Sequence, residues 1–458
     1  MGKYIGDKDF FKRVFTIIIP IMLQQLFLSI AGYIDNIMIN AYDELHLAYN
    51  GVSAANRLMF VCNFVWLGLI AAVNIFTSQY FGAKDREKVK ETLRFSIYIS
   101  VAFAILGFIM ITLIGNYVVD SYIMDQNARE YGYQYLNVIR YGNVFVAINM
   151  SIANGYRSIK KPNIPLVIGA IGIVVNIFMN WVLIFGHLGA PEMGASGAAL
   201  ATNISKAVET VAYFVSIAIL NNEWFKGTFH HWYVSKDLMQ KYLKRGTPLV
   251  ANELFWSLSM VVMAKFYTYH NDMWYNAYAY TQNISDLFFI VFAGLGSGTS
   301  IIIGSTLGEG NFDKARVEVN YFRGLGVMMG GLVGILMAAT SPLTSRVFTS
   351  DPEVISIMIQ ILSITSIFTA IYCYNAVCFF TLRAGGDSLR AVILDQGPTY
   401  LVGIPIAIVM GVNAEAWGIT IVTTYLATHA LDIVKLFLSN AFIRKEKWVR
   451  NLTVKEEN

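Results

Sequence analysis

Apolar stretches long enough to cross a bilayer follow one another along the whole chain, with no soluble-length segment between them. A spanning helix needs ~20 apolar residues, because each residue advances it about 1.5 Å across a ~30 Å hydrocarbon layer. The pattern predicts spans at about 13–38, 54–80, 93–118, 132–156, 164–186, 195–220, 245–269, 279–306, 319–343, 355–382, 391–412 and 417–443 of the 458 residues. Only 14% of the residues are charged, against about 25% in soluble proteins. The expected fold is an all-α integral membrane protein of twelve transmembrane helices, with no room for a catalytic domain. The first span is too long for a removable signal peptide and lacks its small-residue cleavage site.

The connections between spans alternate in charge. The N-terminus with Lys3, Lys8, Lys12 and Arg13, the stretches YFGAKDREKVKETLR, YRSIKKPN, LGEGNFDKARVEVNYFR and LRAGGDSLR, the connection around residues 221–244, and the tail are all basic. The intervening connections hold almost no Lys or Arg. The positive-inside rule therefore predicts both termini on the cytoplasmic side of the cell membrane. Cys62, Cys373 and Cys378 fall inside apolar segments and read as core packing.

A shift of about 226–228 residues lays the second half on the first. IPIMLQQLFLSI falls on TPLVANELFWSL, pairing Pro20 with Pro248 and Gln25 with Glu253. The same shift pairs Gly82 with Gly308, Asn149 with Asn375, Arg157 with Arg383, and Leu200-Ala201-Thr202 with Leu426-Ala427-Thr428. Each match is short, but their common offset across the length marks an internal repeat. Six spans per half, an even number, make both halves enter the membrane in the same direction. The expected domains are a six-helix lobe over 1–220, a cytoplasmic linker at 221–244 and a second six-helix lobe over 245–458, related by a pseudo-two-fold along the membrane normal. Transporters so built hold their substrate between the repeats.

Within the first span, Gln24 to Asn40 carries one carboxylate, Asp35. A charge at that depth costs at least ~2.5–3.5 kcal/mol, so it faces protein or a water-filled cavity. On a helix Gln24, Leu28, Ala31 and Asp35 align, with Gln25, Ser29, Gly32 and Asn36 beside them. The stripe reads as an ion or substrate site or as a buried interhelical contact.

The first span from Pro20 and Gln24 to Asp35, the YFGAKD loop, the Asn176/Asn180-Trp-Val-Leu-Ile-Phe-Gly end of the fifth span, MGASGAALAT before the sixth, and the LGEGN and LRAGGDS loops fit one pattern. Together they resemble the multidrug and toxic compound extrusion (MATE) family of cation-coupled antiporters along essentially the whole chain. The resemblance implies a pair of six-helix lobes that exports amphiphilic or organic cationic compounds in exchange for Na⁺ or H⁺. It also implies that Asp35 belongs to a cation site of the first lobe. Asn176 and Asn180, four apart on one helix face, and Thr202 on the sixth span are its expected companions. A carboxylate, two amide oxygens and a hydroxyl suit Na⁺, and a buried carboxyl also suits a proton. Asn180 stands where some relatives have an acid, which leaves the choice of ion open.

Glu253 matches the seventh-span glutamate of the family's Na⁺-coupled branch, but the aspartate that branch carries in the tenth span is absent here. Glu253, Gln24, Gln25 and Asp286 are the candidates for substrate binding or a second proton or cation site. Lys206 with Glu209, and Asp432 with Lys435, are each three apart and read as pairs along their own helices. Asp395 is expected near the cytoplasmic end of its span, meeting the basic loop, and Pro398 and Pro405 permit a kink nearby. The chain has no nucleotide-binding GxxxxGK[ST], zinc spacing or nucleophile elbow, so neither an enzyme nor a primary pump is expected. The expectation is a monomeric secondary antiporter in the lipid bilayer, with a small-molecule substrate, no cofactor beyond its coupling ion and no nucleic-acid partner. A flippase for a lipid-linked saccharide and a non-transporting receptor or scaffold are the alternatives.

Overall fold

The computed structural model describes residues 4–220, 223–269 and 271–454. Lys3, His270, the first two linker residues Asn221 and Asn222, and residues 455–458 lie outside the described residues. Everything regular among the described residues is helical. The passes are Lys8–Asn40, Leu47–Gly82, Arg86–Tyr122, a fourth built from Gln126–Ile139 and Asn143–Ser158, then Asn163–Phe185 and Gly194–Ile219. After the short helix Lys236–Arg245 come Thr247–Tyr267, Asp272–Gly308, Phe312–Phe348, Pro352–Ala384, Ser388–Val412 and Ile421–Arg444. Among the described residues, ten helices are long and apolar enough to cross a membrane. The two remaining passes are the fourth, interrupted by a 3-10 turn at Arg140–Gly142, and the sixth, whose composition is diluted by Gly, Lys206 and Glu209. The all-helical membrane fold expected from the hydropathy is therefore the observed one.

The repeat is visible in local chemistry. Asp85 caps the third pass by accepting from the Lys88 N–H at 3.0 Å, and Asn311, 226 residues on, caps the ninth through the Lys314 N–H at 3.1 Å. Asp125 and Asp351, at the same offset, cap the fourth and tenth passes. Such caps satisfy amide groups that the first helical turn leaves without partners. Asn149 donates from Nδ2 to the Lys206 carbonyl at 2.9 Å, and Asn375 donates to the Asp432 carbonyl at 2.9 Å.

The chain divides into two compact units, one from Leu23–Phe81 and Asp85–Leu243, the other from Met1–Met22, Gly82–Lys84 and Lys244–Asn458. In the first, Ile39, Val52, Ala55, Ile111, Leu136 and Ile184 form an apolar core. Gly197 brings the sixth pass so close to the fifth that a Cβ there would lie 2.5 Å from the Leu183 carbonyl oxygen. In the second unit, the ninth pass lays Gly326, Gly330 and Gly334 along the tenth, against Cys373, Ala370 and Ser366. Small residues one turn apart allow backbones to approach where lipid supplies no hydrophobic drive. Phe10 packs edge-on against Tyr321 and Phe322, and Arg13 pairs with Glu318 at 2.9 Å. Cys62, Cys373 and Cys378 are buried free thiols. The eleventh pass contains a π-helical turn at Thr399–Gly403, between Pro398 and Pro405. Proline removes a helix-closing N–H, and wider turns form where the ladder is interrupted.

One repeat pair exposes a backbone cost. Lys84 adopts φ 58° and its counterpart Gly310 φ 75°, both left-handed. A side chain in that region costs roughly 1–2 kcal/mol, partly offset by the greater unfolded-state freedom of glycine. Gly310→Ala is expected to destabilise the protein by about 1 kcal/mol, and Lys84→Gly to stabilise it by up to about 1 kcal/mol. Opposite shifts in thermal unfolding of the detergent-purified protein check this.

Candidate functional site

Three passes meet at Asp35. The carboxylate lies in the last third of the first pass, and Asn180 donates to its Oδ1 from Nδ2 at 2.5 Å. The same amide reaches Asn176 Oδ1 at 3.4 Å, one helical turn earlier. Asn176 donates from Nδ2 to Thr202 Oγ1 at 3.4 Å, and the Thr202 hydroxyl closes back on the Ala198 carbonyl at 3.1 Å. Asn176 and Asn180 are both buried. The four residues that the sequence groups together are thus one connected polar cluster.

The cluster is not saturated. Asn180 Oδ1 is buried and accepts no hydrogen bond. A buried acceptor without a donor costs ~1–3 kcal/mol, so its retention needs a reason. Amide oxygen and nitrogen are assigned from the surrounding network, and turning the group would aim its oxygen toward Asp35 in place of the N–H. In that arrangement the carboxylate, one or two amide oxygens and a hydroxyl form an oxygen-lined pocket, the chemistry that hard cations prefer. With a proton on Asp35 instead, Asn180 Oδ1 becomes the natural acceptor. The geometry accommodates either ion.

Gln24 lies elsewhere, since eleven residues of helix separate it from Asp35 by about 16 Å. Its Oε1 accepts from the Arg157 guanidinium and its Nε2 donates to the Pro165 carbonyl at 3.3 Å. Arg157 also donates to Asn154 Oδ1 at 3.3 Å, Asn74 donates to the same oxygen at 3.1 Å, and Ser158 donates to Asn74 at 3.2 Å. This network ties the first, second, fourth and fifth passes together. Gln25 is exposed. The Lys206–Glu209 pair forms as expected, at 2.6 Å, with Asn149 also reaching Glu209 at 3.4 Å. Asp432 and Lys435 differ from expectation, since no ion pair joins them among the described residues. Asp432 is nine-tenths buried, and its carbonyl serves the Asn375 amide.

In the second half, Arg383 donates to Glu253 Oε1 at 3.1 Å, with both side chains largely withdrawn from solvent. The guanidinium also lies over the rings of Phe379 and Phe380. Arg383 is the counterpart of Arg157, but its partner Glu253 is the counterpart of Gln25, whereas Arg157 bonds Gln24, one position earlier. Asp286 is exposed on the eighth pass. Asp395 departs from expectation as well: instead of meeting the basic loop it accepts from Asn252 Nδ2 at 3.0 Å and from Gln396 Nε2 at 2.7 Å. No sequence signal marks this contact, because an Asn on the seventh pass reveals its facing residue only once the rotation of both helices is known.

The family model MatE matches residues 20–182 and again 248–409. The chain is similar to the Uncharacterized transporter YisQ of Bacillus subtilis, at 24% identity over 418 residues and 89% of either chain. It is similar also to the Multidrug resistance protein NorM of Vibrio parahaemolyticus, at 26% identity over 408 residues and 86% of either chain. Among solved structures, one described as the crystal structure of MATE in the bent conformation has the same fold, with a TM-score of 0.86 at 16% identity over 96% of either chain. The two matched segments start at residues 20 and 248, the spacing at which the first-span stripe repeats in the second half. A twelve-pass helical chain, duplicated at that interval and matched by the family model in both copies, belongs to the MatE family.

Proposed function

We propose that this protein is a secondary antiporter that exports amphiphilic or organic cationic compounds in exchange for Na⁺ or H⁺, by alternating access. The halves 1–220 and 245–458 serve as the lobes, joined by a cytoplasmic linker at 221–244, with both termini in the cytoplasm and the chain working as a monomer in the plasma membrane. The printed names of relatives, such as the Multidrug resistance protein NorM, support export of varied compounds. The observation that carries the reading is the Asp35 cluster: a carboxylate inside a spanning helix, bonded to Asn180, beside a buried amide oxygen that has no donor.

The proposed mechanism is competition between ion and substrate. Ion binding at Asp35 draws Asn180, Asn176 and Thr202 toward one arrangement of the first, fifth and sixth passes. Substrate binds better to the arrangement without the ion. Exchange requires only such a difference in affinity between the two states. Glu253 contributes less to this exchange, because Arg383 already neutralises its charge. Asp286 remains an exposed carboxylate suited to an organic cation.

Asp35→Asn should abolish ion-driven efflux of a fluorescent organic cation from proteoliposomes while the protein remains inserted and monodisperse; efflux at the normal rate would sink the reading. Asn180→Leu keeps the carboxylate but removes the amide. Its cost in stability is small, since interhelical hydrogen bonds in membranes average ~0.6 kcal/mol. The apparent affinity for the driving ion should nevertheless fall about ten-fold or more, seen as a rightward shift when the ion is titrated against efflux rate. An unshifted curve would remove Asn180 from the ion site.

A further inference from the structure

We propose that Asp395, Asn252 and Gln396 form a second cation site, selective for a hard monovalent ion such as Na⁺, in the second half of the chain and independent of Asp35. Asn252 and Gln396 both donate to one oxygen of Asp395, Oδ2. Both amides are buried, at 2% and 5% exposure. Both also leave their carbonyl oxygens, Asn252 Oδ1 and Gln396 Oε1, buried without a donor. One carboxylate therefore has two buried amides beside it, each with an unused acceptor. A bound cation answers all three needs at once, drawing the amide oxygens inward and neutralising the carboxylate.

Several features favour a ligand over a passive contact. Asp395 makes no ion pair among the described residues, whereas its neighbour across the seventh pass, Glu253, is paired with Arg383. The backbone beside Asp395 is irregular. Pro398 lacks the N–H that a regular helix would offer the Leu394 carbonyl, the Thr399 hydroxyl takes the Asp395 carbonyl at 3.3 Å, and the π-helical turn Thr399–Gly403 follows. Interrupted helices at membrane depth recur where backbone carbonyls meet ions.

The repeat supplies the most telling comparison. The shift of 228 that pairs Gln25 with Glu253 puts Gln24 on Asn252, and a shift of 226 puts Gly169 on Asp395. In the first half Gln24 Nε2 lies 3.5 Å from where a Cβ of Gly169 would sit. The same pair of passes thus closes around a glycine in one copy and a carboxylate in the other. The close approach of these two passes therefore does not itself require an acid. Asn252 lies five residues after Thr247, which opens the seventh pass, and Asp395 seven after Ser388, which opens the eleventh. The site therefore lies about one and a half to two turns in from those helix ends.

The test uses purified full-length protein and radiolabelled sodium, with choline chloride holding ionic strength constant. Asp35→Asn should still bind sodium saturably, and Asp35→Asn combined with Asp395→Asn should not. On the Asp35→Asn background, Asn252→Ser keeps the carboxylate and should weaken binding about ten-fold. Sodium should raise the melting temperature of Asp35→Asn, and Asn252→Ser should diminish that rise. This arm decides the matter even if Asp395→Asn fails to fold. Absence of saturable binding in Asp35→Asn, or equal binding after Asp395 or Asn252 is replaced, overturns the site. Transport by Asp35→Asn reports on the first site and sodium binding by the same variant on the second, so either can fail alone.

Discussion

Between apolar helices in lipid, hydrophobic burial contributes almost nothing, because hydrocarbon tails solvate Leu and Ile as well as a neighbouring helix does. This chain must therefore be held by close backbone approach and by hydrogen bonds between passes. Gly197 on Leu183 and the Gly326, Gly330 and Gly334 stripe on the tenth pass provide the first. Asn149, Asn375, Gln24 with Arg157, and Glu253 with Arg383 provide the second. Every polar side chain kept within a pass consequently carries either a packing role or a ligand.

The duplication separates these roles. Where both copies keep the same contact, as with Asn149 and Asn375 each reaching a main-chain carbonyl of its sixth or twelfth pass, the residue belongs to the scaffold. Where the copies differ, the scaffold tolerates either choice. Arg157 meets a neutral Gln24, whereas Arg383 meets Glu253. Asp35 has the Asn180 amide as its bonded partner, and no ion pair holds it among the described residues. Two copies of one architecture thus place their charged groups at different positions.

The spans were legible because length and hydropathy decide them, and the lobes' duplication because motifs survive at a common offset. The Asp35 group was legible too: Asn176 and Asn180 are one turn apart, and resemblance supplied the rest. The partners of Asp395 and the lack of an ion pair between Asp432 and Lys435 among the described residues were not legible. Such contacts depend on how each helix is rotated about its axis, and an apolar surface facing lipid resembles one facing a neighbour. The 3-10 turn at Arg140–Gly142 was hidden for a similar reason, since one glycine within an apolar run is a weak signal. The paired caps Asp125 and Asp351 were available from the repeat offset and would have fixed two helix starts.

The proposed antiport requires substrate and ion movements to be obligatorily opposed in this one chain. Because such coupling is reciprocal, the direct measurement loads proteoliposomes with a fluorescent organic cation, imposes no ion gradient, and follows Na⁺ and proton entry as the compound leaves. Ion influx that rises and decays with the compound's efflux is the result this account predicts. Efflux of the compound with neither ion entering would contradict it.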